Sequence, residues 1–219
     1  QEDIDFAIPF FGEDIPLYVD PFLMWRSPSQ QDNALHGILM SAFNAIGRQA
    51  LDYGEDAAID ALIEASECDE VGLGSSGTRR GKRIGREKAK EILDIFRRVP
   101  HYRQNGLAHV EEVQFFVDGI SKDRISDFAC SFLKSFLIDF TIDQCSRLGI
   151  PMGSAQLPTV WNARTTRFTE VATTLPIDPT DGRPLLFVPK RWLRFVPWLN
   201  YEDYFQKHCP QDDIAHAGE

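Results

Sequence analysis

From about Lys122 to Leu148, apolar residues recur at helical spacing. Ile125, Phe128, Phe132, Leu133, Phe136, Leu137 and Phe140 form one broad stripe, which predicts the strongest helix of the chain, ended by Gly149 and Pro151. A second long helix is predicted over about Gln31 to Leu51, where Leu35, Ile38, Leu39, Phe43 and Ile46 repeat with the same period before Gly54. Shorter helical patterns cover about Glu55 to Ser66, Arg86 to Arg98 before Pro100, and Leu107 to Val117, the last with Leu107, Val110, Val113 and Val117 inward. Short apolar runs predict strands at Ile15 to Val19 and at Glu70 to Leu73. Beyond Pro151 the pattern changes: Thr159 to Trp161, Arg167 to Thr173 and Leu185 to Val188 read as strands, with Pro179-Thr180-Asp181-Gly182 as a turn before the last. A helical two-thirds followed by a small antiparallel β-rich part, without repeats, predicts an α+β fold. Residues 1–210 are expected to form one domain and residues 211–219 a polar tail.

Composition adds a folded core and a sign of charge. Apolar residues make up 43% and charged residues 26%, ordinary globular usage that excludes wholesale disorder. The net charge of −10 argues against a protein that coats nucleic acid over its whole surface, and leaves room for a local basic groove. Cys68, Cys130, Cys145 and Cys209 are widely spaced, with neither zinc-ligand pairing nor a disulfide framework, and read as reduced thiols. His36, His101, His109 and His208 share no ligand spacing. No apolar run reaches membrane-spanning length, and Gln1-Glu2-Asp3 does not open a secretory leader; the missing initiator Met reads as a processed start. The expectation is a cytoplasmic protein without a membrane partner.

Candidate chemistry begins at Gly72-Leu73-Gly74-Ser75-Ser76-Gly77. It matches a dinucleotide-binding glycine pattern, but the strand before it is very short and Glu91 and Asp94 fall inside a helix rather than at a strand end. A phosphate-loop pattern also fails, because Gly81-Lys82 is followed by Arg83. As a basic loop the segment says more. Arg79, Arg80, Lys82, Arg83, Arg86, Lys88 and Lys90 crowd together in an acidic protein, and glycines let backbone N–H groups approach an anion at the start of a helix. Gly74, Gly77, Arg79, Arg80, Lys82, Arg83 and Arg86 are therefore candidate ligands of phosphate, in a nucleotide or a nucleic-acid backbone; the alternative is a solvated loop.

The acidic counterpart is Asp118, Asp123 and Asp127. Asp123 and Asp127, four residues apart, share one helical face and are candidates to hold Mg²⁺ or Mn²⁺, with Asp118 or Asp20 as further ligands. Asp127 lies opposite the phenylalanine stripe, and Ser131 and Lys134 continue its face, which carries few charges for a solvent face and so invites a cover. Otherwise Asp123 is a helix cap and Asp127 is solvated. Lys134 and Lys190 are candidate catalytic lysines, able to orient water or stabilise developing charge. Nucleases of the PD-(D/E)xK class place such a lysine two residues after an acid, and here Val188 stands in the acid's place.

The segments 15–23, the glycine-rich basic loop, 119–127 and 184–190 together resemble a family of uncharacterised bacterial proteins associated with mobile-element or phage-defence loci. That resemblance implies a prokaryotic, defensive setting and no particular reaction. The leading expectation is a metal-dependent nuclease or phosphodiester-processing component. The alternatives are a non-catalytic sensor or adaptor binding a protein or nucleic-acid partner, and a nucleotide-binding enzyme.

Overall fold

A computed structural model describes residues 4–12, 14–74 and 82–195. The fold is α+β: helices dominate the N-terminal part, and small antiparallel two-stranded sheets lie toward the C-terminus. β1 (Leu17–Val19) runs into α1 (Pro21–Trp25), and the Asp20 carboxylate accepts from the Phe22 N–H at 3.0 Å to cap that short helix. α2 (Gln30–Asp52) starts at the Ser29 hydroxyl, which accepts from the Asp32 N–H, and buries Leu35, Leu39, Phe43 and Ile46 of the predicted stripe, whereas Ile38, predicted with them, is exposed. α3 (Asp56–Ala65) and α4 (Arg86–Arg98) pack on it. Their closeness depends on Gly47: a Cβ there would lie 2.5 Å from the Phe96 ring of α4, an impossible distance. α5 (Pro100–Asn105) follows directly.

The segment predicted as a helix over 107–117 is a 3₁₀ turn, Val110–Phe115. Leu107, Val110, Val113 and Val117 are nonetheless all buried: Val110 and Val113 share a face of the 3₁₀ turn, where a three-residue spacing fits, and Leu107 and Val117 flank the turn on either side. The helix predicted over 122–148 is two: α6 (Lys122–Phe132) and α7 (Lys134–Leu148), separated at Leu133. No proline or glycine marks the break. It falls next to Lys134, whose side chain is fully buried and turned to partners outside both helices.

β2 (Gly153–Asn162) and β3 (Arg167–Leu175) form an antiparallel hairpin whose register shifts between Leu157 and Val160, beside Pro158, which has no N–H for the ladder. β4 (Leu193–Phe195) pairs antiparallel with β1. The run 185–188, predicted as a strand, is buried but joins no sheet. The N–H groups of Leu185, Leu186 and Phe187 go to Pro176 O, Glu70 O and Thr141 Oγ1. The predicted strand at 70–73 reduces to a single parallel bridge, Leu73 to Ile15.

Residues distant in sequence are clasped by Asp32. Its fully buried carboxylate accepts from Ser27 Oγ (2.7 Å), Arg191 (2.8 and 2.9 Å) and Trp192 Nε1 (2.9 Å). Burial alone would raise its pKa, but these partners outweigh burial and hold it below the usual carboxylate range. No helix among the described residues is long and apolar enough to cross a membrane. The tail 211–219 lies outside the described residues.

Candidate functional site

The face of α6 that carries few charges is covered. The chain leaving α3 at Ser66 runs across it to Gly74, and each step is fixed by a bond to another element. The Ser66 hydroxyl accepts from the Ile84 N–H at 3.0 Å, and Ser66 O accepts from Arg124 at 2.6 Å. Glu67 O accepts from the Ser131 hydroxyl, and Glu70 O accepts from the Leu186 N–H. Ile15 then brackets the end of the segment: its N–H donates to Gly72 O and its carbonyl accepts from the Gly74 N–H, both at 2.9 Å. Ser121 caps α6, and on the opposite side of that helix Ser126 Oγ accepts from Val19 N–H. Asp123 is thus a first-turn residue and not the cap, and Asp127 is buried rather than solvated.

Beneath this cover lies a buried network of charge. Arg124 donates to both Glu67 (3.2 Å) and Asp127 (2.9 Å). Lys134, at the start of α7, donates to both oxygens of Glu70 (2.9 and 3.1 Å) and to the Thr159 hydroxyl of β2 (3.0 Å). Burial pushes the Asp127 carboxyl well above the usual range, Glu67 and Asp123 add to this, and Arg124 only partly offsets it. Burial likewise raises Glu67, Asp69 and Asp123. The thiols of Cys68 and Cys130 are pushed up by burial and are not poised as nucleophiles. For Lys134, burial would lower the ammonium, but Cys68 and Glu70 outweigh it and the pKa is raised.

At the mouth of the network the backbone of Gly74, with φ of +140°, runs beside two carboxylates. A Cβ on Gly74 would lie 3.1 Å from Asp123 Oδ1 and 3.5 Å from Asp14 Oδ2. Here the glycine-rich basic segment leaves the described structure, so Gly77, Arg79 and Arg80 lie outside the described residues. Lys82 and Arg83 are exposed and hold no ion pair among the described residues. Arg86 is engaged by Asp56 and Asp60, Lys88 by Glu91, and Lys90 by Glu55, so α3 and α4 share a surface ladder of opposite charges.

The other expected site residues stand apart from this mouth. Asp20, besides capping α1, pairs with Arg194 of β4. Asp118 is exposed in the turn before α6. Lys190 is exposed, and its N–H donates to Asp5 O. Among the described residues no three His, Cys, Asp or Glu side chains gather as a metal-holding group. Sequence spacing missed two residues, one at the mouth and one in the fold's polar interior. Asp14 reaches Gly74 from a preceding loop, and His36 of α2 meets His109 with ring centroids 5.3 Å apart. Burial and the charge of His109 lower the His36 pKa. Glu111, also near His109, is raised by its burial. Neither pairing has a local sequence signal, since each joins segments far apart in the chain.

The chain belongs to a family described as a domain of unknown function (DUF8370), which it matches over residues 1–200. No curated protein matches it, and no solved structure does.

Proposed function

We propose, within a family whose description assigns no activity, that this chain is a metal-dependent phosphodiester-processing component acting on nucleic acid or a nucleotide. One observation carries the reading: the Asp123 and Asp14 carboxylates both approach the position a Cβ on Gly74 would take, at the point where the glycine-rich basic segment begins. Mg²⁺ and Mn²⁺ are commonly held by one or two carboxylates, with water and substrate phosphate completing the shell. A cation there would neutralise developing charge and acidify a bound water. In this reading Asp123 and Asp14 are the protein ligands and Lys82 and Arg83 steady the phosphate. Asp127, Arg124, Glu67, Lys134 and Glu70 fix the platform from behind. The setting in a prokaryotic defence system is part of the proposal and rests on the resemblance of the four segments.

The test is Mn²⁺ binding by calorimetry together with cleavage assays on labelled DNA and RNA. Asp123→Asn should lose both metal binding and cleavage while keeping its fold. Replacing Lys82 and Arg83 by Ala should weaken duplex binding and reduce the magnitude of its salt slope by about 0.9 for each phosphate no longer neutralised. Full activity in Asp123→Asn overturns the reading.

A specific observation favours the adaptor alternative as the second reading. Phe115 and Phe116 stand 82% and 50% exposed side by side, the kind of aromatic pair a protein partner covers. A stable complex that disappears on Phe115→Ser, with no turnover on any nucleic acid, supports that reading.

A further inference from the structure

A cleft of about 340 Å³ opens between the C-terminal turn of α2 and the turn joining β2 to β3, away from the carboxylate mouth. That volume falls in the range of small-molecule sites. Arg48, Gln49, Asp52 and Tyr53 line it from the helix, and Thr166 and Arg167 from the hairpin. Four features of this lining point to a ligand.

Arg48 and Arg167 are both exposed, and neither holds an ion pair among the described residues although Asp52 lines the same cleft. Two guanidinium groups facing one cleft repel each other, and a bound phosphate relieves this while accepting from both. Gln49 Oε1 is buried without a hydrogen-bond partner, an acceptor left for an incoming N–H. Tyr53 is 87% exposed and offers its ring to the same space. Aromatic side chains of this kind stack nucleobases whatever their identity. Thr166 has φ of 51°, an unfavourable conformation for a β-branched residue, and this strain sits in the turn that forms the far wall.

We infer that this cleft binds a mononucleotide: the phosphate between Arg48 and Arg167, the base on Tyr53, and an exocyclic amino group donating to Gln49 Oε1. The inference is independent of the phosphodiester reading, since the two sites share no residue. The bound nucleotide joins the end of α2 to the β2–β3 hairpin, so its binding stabilises that junction by mass action.

The experiment is calorimetric titration of the full chain with AMP, adenosine, inorganic phosphate and a hexadeoxyadenylate, followed by the same titrations of Arg48→Ala, Arg167→Ala and Tyr53→Ala. These three side chains are exposed, so the variants should retain the fold, checked by circular dichroism. AMP is expected to bind, with adenosine and phosphate each much weaker. Removal of either guanidinium should weaken AMP by roughly tenfold or more, because hydrogen bonds to charged groups are the strong ones. Tyr53→Ala should weaken AMP and adenosine but not phosphate. Absence of AMP binding at millimolar concentration overturns the inference, as does AMP binding indifferent to both arginines. Binding of the hexanucleotide through Arg48 and Arg167 without binding of AMP overturns the mononucleotide assignment and makes the cleft part of a single-strand track.

Discussion

Replacing Lys134 by methionine removes the ammonium that faces Glu70. Lys134 is fully buried, and the Glu70 side chain is only 11% exposed, so water cannot substitute for the missing charge. Methionine keeps most of the aliphatic stem, which isolates the electrostatic loss from a packing loss. Breaking a buried pair by deleting one partner costs about 3–5 kcal/mol, much of it from the charge left behind. Thr159 is also deprived of its donor, a smaller effect because its hydroxyl can turn. For a chain of this size that predicts a fall in Tm of roughly 6–20 °C, at roughly 2–4 °C per kcal/mol. The double variant Lys134→Met with Glu70→Gln removes the stranded charge and should recover most of the stability, since a buried pair is worth little against neutral residues of similar volume. Urea denaturation of the original, both single variants and the double variant closes the cycle. A single variant destabilised by less than about 1 kcal/mol, or a double variant as unstable as the sum of its parents, would refute the idea that Lys134 is held there to match Glu70. The cycle also separates positioning from chemistry: a double variant stable but inactive restores Lys134 to the catalytic role its sequence position invites.

Three further outcomes follow from the buried groups. The raised Asp127 pKa means the folded state holds its proton more tightly than the unfolded chain, so ionising it costs stability as pH climbs from about 3.8 through the folded value; Asp127→Asn should flatten this loss in urea melts at pH 5 and pH 8, and a variant weakened more at pH 8 than at pH 5 counts against it. His36 behaves oppositely: its lowered pKa makes its contribution complete above 6.5 and lost as pH falls through the folded value, so proton NMR should find it titrating below 6.5 and His36→Leu should remove part of the acid-side instability. Gly74→Ala puts a side chain at φ +140° and 3.1 Å from Asp123 Oδ1, and calorimetry should register a loss of about 1–3 kcal/mol, with no loss meaning that the loop relaxes freely.

The elements that periodicity identified were those whose partners did not matter to the pattern. α2 follows its predicted span almost to the residue, with Ile38 of its stripe turned outward, and the inward face of 107–117 was right although the helix type was not. The apolar run 185–188 signalled burial correctly and pairing wrongly, because a buried run reads the same whether its N–H groups reach a neighbouring strand or scattered acceptors. The sparse polar face of α6 correctly implied a cover, but nothing local says that the cover is 66–74, some 60 residues upstream. Counting cations in 79–90 overstated the free positive charge. Glu55, Asp56 and Asp60 face Lys90 and Arg86, and that matching exists only once α3 and α4 pack. Asp123 and Asp127, equivalent by spacing, part company for a similar reason: one turn of helix carries the second under the cover and leaves the first at the mouth.

The threading of 66–74 also has a temporal side. Glu70 O waits for the N–H of Leu186, and Asp32 waits for Arg191 and Trp192. During synthesis, α2, α3 and α4 emerge from the ribosome long before those residues, with Asp32 and the underside of α6 still open. Closure over α6 is therefore a late event that spans loops of more than a hundred residues, and such closures are slow because chain entropy opposes them until the ends meet. A chain released or cut before Leu186 would carry every carboxylate and cation of the network, and would lack the clasp that holds them in place.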